Sequence, residues 1–62
     1  MHKDVVKRFV SKYVKLVHNG YAIRGHIIRI EEDCIIFKTK QAESAISLDA
    51  IESIVLLGEG GI

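Results

Sequence analysis

The sequence predicts a mainly β fold, a small five-stranded bent antiparallel barrel preceded by a short N-terminal α-helix. Three observations carry that expectation. Asn19-Gly20 separates two strand-like runs, three further short apolar runs follow residue 30 between polar turns, and apolar residues before residue 12 recur at helical spacing. Many short strands after a single helix suit a small barrel.

The helix is expected over Lys3–Ser11, where Val5, Val6, Phe9 and Val10 fall on one side and Lys3, Lys7 and Arg8 on the others. About nine residues make a marginal helix in water, and β-branched valines weaken it further, so it must dock on the sheet. Asp4, four residues before Arg8, offers a weak intrahelical pair.

Strand one is expected over Tyr13–His18 and strand two over Tyr21–Ile30. Asn-Gly between them is a strong short hairpin signal, because both turn positions need φ > 0. A two-residue loop then sets His18 against Tyr21, Leu16 against Ile23, Lys15 against Arg24, Val14 against Gly25 and Tyr13 against His26. Val14, Leu16, His18, Tyr21 and Ile23 share one side of this ribbon, and Tyr13, Lys15, Val17, Ala22, Arg24 and His26 share the other. Lys15 opposite Arg24 places like charges together, which costs stability unless solvent or an anion lies between them. Gly25 inside a strand marks a bend or a close backbone approach.

Glu31, Glu32 and Asp33 read as an acidic turn, Cys34–Thr39 as strand three, and Lys38–Ser44 as a polar connection. Ala45–Leu48 forms strand four, Asp49-Ala50 a tight turn, and Ile51–Leu57 strand five, leaving residues 58–62 as a flexible tail of the single domain 1–62. The last strands are short, apolar and free of proline. Such edges invite pairing with another chain.

Sixty-two residues bury only a thin core, and small domains usually gain stability from disulfides, a metal or oligomerisation. A single cysteine, Cys34, excludes an internal disulfide and reads as an inert strand residue. His2, His18 and His26 form no zinc-type spacing with it, so neither a metal nor another cofactor is expected. Oligomerisation remains. No long apolar run or secretory signal pattern is present, which predicts a cytoplasmic protein without membrane contact.

The net charge is +1, yet Lys3, Lys7, Arg8, Lys12, Lys15, Arg24 and Arg29 precede residue 30, whereas seven of the eight carboxylates follow it. From this asymmetry only the amino-terminal half is expected to favour a polyanion.

Asn19-Gly20-Tyr21-Ala22-Ile23-Arg24-Gly25-His26-Ile27 resembles the first Sm motif in its bacterial Hfq form. Ile46-Ser47-Leu48-Asp49-Ala50-Ile51-Glu52-Ser53 is similar to the second motif of that family, which ends in an Ala-Ile pair and a small polar residue. With the helix included, the resemblance covers nearly the whole chain. It implies an Sm-like (LSm), SH3-like barrel that assembles by strand-four to strand-five pairing into a homo-oligomeric ring, six-membered in Hfq. It also implies an RNA chaperone and post-transcriptional regulator whose partner is single-stranded RNA, either small regulatory RNA or mRNA.

Carried over by position, the adenine-binding face uses Leu16, Tyr21 and Ile23, with Asn19 and Gly20 supplying the turn and Arg24 nearby. An aromatic ring with aliphatic neighbours gives bases a stacking surface. The uridine face near the pore corresponds to Glu32, Asp33, Ser47, Leu48 and Asp49. Here Asp33 replaces an aromatic residue, and Leu48-Asp49 replaces a Lys-His pair. Carboxylates in place of cations disfavour phosphate, so this face is expected to be impaired. The rim positions are Lys7 and Arg8, with lysine lacking the planar fork of arginine. Lys15, where the family commonly has an apolar residue, is a further departure.

Two functions compete: an RNA-binding ring that takes A-rich strands, and a ring kept as a protein-interaction or assembly module without RNA binding. An enzyme is disfavoured because no phosphate-cradling loop or metal-ligand spacing frames Asp33, Asp49 or His26, so no catalytic residue is assigned.

Overall fold

In a computed structural model, residues 1–58 are described. The chain runs α1 (Lys3–Lys7), β1 (Tyr13–His18), β2 (Tyr21–Glu31), β3 (Cys34–Lys38), β4 (Glu43–Ser47), a 3₁₀ turn (Leu48–Ala50) and β5 (Ile51–Gly58). All pairings are antiparallel, in the order β4-β3-β2-β1-β5.

The Asn-Gly turn does what its chemistry demands. Asn19 has φ 49° and Gly20 φ 82°, and the ribbon pairs His18 with Tyr21, Leu16 with Ile23, Lys15 with Arg24 and Tyr13 with His26, the expected register throughout. Glu52 Oε2 accepts a hydrogen bond from the Gly20 N–H at 3.2 Å, tying the turn to β5. Between Ile27 and Arg29 the β2–β3 ladder slips by one residue, leaving Ile28 as an extra residue in β2. A bulge of this kind bends a strand, and β2 is the long strand that serves β1 with its first half and β3 with its second.

Closure into a barrel is the first correction. The sheet is open: β4 and β5 are its two ends and do not pair with each other. Short strands, with one register slip between β2 and β3 and two between β1 and β5, curl the sheet enough to enclose a core without bringing its ends into hydrogen-bonding contact.

The helix is also shorter than expected, five residues rather than nine. Ser11 adopts φ 69°, its N–H donates to Ile27 O at 2.7 Å, and Val10 bridges Ile27, so the chain leaves the helical path to reach β2. Within α1, Val6 is buried and Val5 exposed. Asp4 turns to His2 instead of Arg8: its N–H donates to His2 Nδ1 at 3.1 Å, capping the helix. Because Nδ1 accepts that bond, the 3.8 Å approach of the Asp4 carboxylate to the same nitrogen is not an ion pair.

Strand bounds shift by a residue or two. Glu31 ends β2, Thr39 leaves β3, β4 begins at Glu43, and Gly58, expected in the tail, closes β5; the rest of that tail lies outside the described residues. Glu32 takes φ 49° in the turn. A non-glycine residue there costs about 1–2 kcal/mol. Glu32→Gly is accordingly expected to raise the unfolding midpoint by a few degrees, with an unchanged or lower midpoint counting against strain at this turn.

Val6, Val14, Leu16, Ile27, Ile35, Phe37, Ile46, Leu48 and Ile51 form the core, and no polar or charged residue is buried among the described residues. The pattern follows strand alternation: Val14 and Leu16 from β1, Ile35 and Phe37 from β3. The α-amino group of Met1 donates to Leu48 O at 2.6 Å, joining the start of the chain to the 3₁₀ turn. No helix among the described residues is long and apolar enough to cross a membrane.

Candidate functional site

The hairpin delivers its expected residues unequally. Asn19, Gly20 and Arg24 are exposed, Tyr21 is 73% exposed and Ile23 is half-buried. Leu16, on the same side of the ribbon, is wholly buried. The ribbon's inner face descends from solvent at the tip to the core at Leu16 and Val14, so Leu16 supports the surface from beneath and offers nothing to a ligand.

Beyond the tip, β2 runs with β1 alone, because β3 joins it only at His26. In a two-residue hairpin the closing pair is hydrogen-bonded, and alternation then directs the backbone N–H and C=O of Ala22 and Arg24 away from β1. No described strand pairs with β2 there, leaving a short free edge that can donate and accept.

A cleft of about 550 Å³ opens beside this edge, bounded by Tyr13, Ile23, Arg24, Gly25 and His26 on the hairpin and by Lys38, Thr39, Lys40 and Gln41 at the end of β3. Clefts that take small ligands span roughly 300–1,000 Å³. The Tyr13 and His26 rings lie 5.2 Å apart between centroids at 44°, a tilted aromatic contact within the favoured range. Gly25 makes the cleft possible: a Cβ there would strike the Lys38 carbonyl oxygen and stand 3.0 Å from Phe37 Cε2, so only glycine lets β3 end so close to β2.

Sequence reasoning missed the far wall. It treated residues 38–44 as a polar connection and expected polyanion affinity from the amino-terminal half alone. The fold brings Lys38 and Lys40 to the same cleft as Arg24, with no carboxylate in the lining among the described residues. The spacing of Lys38 and Lys40 was the available signal, but the ladder that sets His26 against Lys38 is a long-range contact.

The acidic positions also come together. Leu48 N–H donates to Asp33 O at 2.9 Å, joining the β2–β3 turn to the 3₁₀ turn, where Ser47 Oγ accepts from Asp49 N–H at 3.3 Å. Glu32, Asp33, Ser47 and Asp49 are exposed, whereas Leu48 is 7% exposed and belongs to the core. Lys7 and Arg8 are exposed at the end of α1. Arg29 Nε donates to Glu31 Oε2 at 2.5 Å, which raises the guanidinium pKa; both side chains are exposed, so the pair contributes little to stability but engages this arginine locally. Cys34 is a half-buried free thiol, and no group of three or more potential metal ligands is found among the described residues.

No family model matches the chain, and no curated protein or solved structure is detectably similar to it.

Proposed function

We propose that this chain is a subunit of an Sm-like ring of the Hfq type, acting in the cytoplasm, that binds adenine-rich single-stranded RNA on the hairpin face and regulates transcripts after synthesis. The observation that carries the reading is Tyr21, an aromatic ring 73% exposed at the first residue of β2, directly after the Asn-Gly turn. Half-buried Ile23 lies two residues on along β2. A base stacked on such a ring gains about 1–3 kcal/mol without any reading of its edges.

Preference for adenine has its own support. An adenine edge pairs an amino donor with a ring-nitrogen acceptor, and the free edge at Arg24 offers a carbonyl acceptor and an N–H donor. The exposed carboxylates at Glu32, Asp33 and Asp49 disfavour a strand on the opposite, uridine-type face.

Titration of labelled oligoadenylate and oligouridylate at physiological salt tests the proposal. Oligoadenylate is expected to bind and oligouridylate to bind weakly, with Tyr21→Ala lowering oligoadenylate affinity by about 5- to 150-fold per stacked base. Unchanged affinity in that variant overturns the assignment of the stacking surface. The second reading, a protein-assembly ring without RNA binding, is favoured by the same exposed carboxylates; it replaces the first if neither oligonucleotide binds.

A further inference from the structure

We infer that the 39–42 loop and the end of β3 form a phosphate clamp, in which Lys38 and Lys40, facing Arg24 across the cleft, hold the backbone phosphates of the bound single strand. This rests on the RNA-binding reading above and extends it to residues outside the hairpin.

Three features carry the inference. The first is charge. Arg24, Lys38 and Lys40 line one cleft that no aspartate or glutamate among the described residues enters, although the chain as a whole is nearly neutral. The ion pair Arg29–Glu31 engages none of the three cations. The nearest carboxylate in register, Glu43, stands opposite Lys38 across the β3–β4 ladder, and it also lies within the electrostatic reach of Arg29.

The second is preorganisation. Thr39 N–H donates to Ala42 O at 2.9 Å, and the Thr39 hydroxyl accepts from the N–H groups of Gln41 and Ala42 at 3.2 and 3.3 Å while donating to Ala42 O. The loop carrying Lys40 is therefore a closed turn whose shape does not depend on a ligand. The third is the floor. The Tyr13 ring and the Ile23 side chain give the cleft apolar lining, which limits water between cation and phosphate and strengthens their attraction.

A polyanion fits this arrangement better than a peptide. A neutral peptide backbone would leave three cations desolvated without compensation, whereas phosphate neutralises them and releases counterions. The distribution of roles is chemical: lysines supply point charge to phosphates, and the ribbon supplies the stacking surface for bases.

The test is the salt dependence of oligoadenylate binding for the native ring, for Lys38→Gln with Lys40→Gln, and for Lys38→Arg with Lys40→Arg. Each lost contact to a single strand lowers the log–log salt slope by about 0.7, so the glutamine pair is expected to flatten the slope by about 1.4 per engaged subunit. The arginine pair is expected to retain the native slope. Both lysines are exposed, so the unfolding midpoint should stay near native in each variant. If the native ring binds oligoadenylate and the glutamine pair keeps the native slope, the clamp is overturned and the stacking face stands. If the arginine pair loses slope as the glutamine pair does, charge is not the cause and the clamp is also overturned. If the native ring binds no oligoadenylate, the functional reading fails and the clamp fails with it.

Discussion

Gly25→Ala is expected to destabilise the fold by about 1–3 kcal/mol, the usual cost of forcing an extra carbon into a packed site. In most strands this substitution would help, since alanine loses less backbone entropy on folding than glycine. Here the added Cβ meets the carbonyl oxygen of Lys38, with the Lys38 carbonyl carbon and Phe37 Cε2 each at 3.0 Å. Neither neighbour yields cheaply. The Lys38 carbonyl belongs to the last rung of the β2–β3 ladder, opposite His26, and Phe37 is wholly buried. A chain of this length has roughly 3–9 kcal/mol of stability in all, so the loss is a large fraction of it. For a domain near this size each kcal/mol moves the unfolding midpoint by about 4–8 °C. Thermal unfolding followed by circular dichroism reads the effect directly. A midpoint equal to or above that of the native protein would mean that β3 shifts aside without cost, and the close approach would not be what reserves this position for glycine. Any such shift moves Lys38, so surviving variant protein is also expected to bind oligoadenylate more weakly.

The position of Gly25 also shows how far the sequence could be read. A glycine inside a strand signalled either a bend or a close approach, and the local pattern could not choose between them. The choice depends on where β3 ends, thirteen residues later in the chain, at Lys38. The hairpin, by contrast, was fully legible, because Asn19 and Gly20 fix their own turn and every cross-strand pair follows from it. Leu16 could have been assigned to the core by alternation with Val14, yet positional resemblance drew it to the binding face. Leu48 was drawn to the pore face in the same way, and burial there follows from the docking of the 3₁₀ turn against Asp33, which no local pattern encodes. The cleft was invisible for the same reason: its two walls are brought together by the β2–β3 ladder, which ends at the His26–Lys38 rung.

The open sheet leads to the second large effect, loss of assembly when Val55 and Leu57 are both replaced by lysine. β5 is an end strand, and Val55, Leu56 and Leu57 are 46%, 44% and 46% exposed in succession. A strand with one buried face exposes alternate residues, so three consecutive exposed aliphatics leave apolar surface on both faces of an unpaired edge. The opposite end, β4, presents exposed Ser44, Ala45 and Ser47, small side chains that permit close approach of a second backbone. Pairing β5 of one copy with β4 of the next uses two different surfaces, and such head-to-tail contacts close into a ring when the rotation allows. Lysine on an edge strand opposes this pairing, and because both side chains are solvent-exposed the isolated fold should tolerate it. Native mass measurement is expected to give a multiple of the 7.0 kDa chain for the native protein, sixfold for a hexamer, and the single chain for the double variant. A native protein found as a monomer would remove the ring from the proposal. A double variant that keeps the native mass would place the interface away from β5. Dissociation of the proposed ring would also separate hairpin faces that it would hold side by side, so oligoadenylate affinity should fall further in the double variant than loss of any single stacking contact can explain.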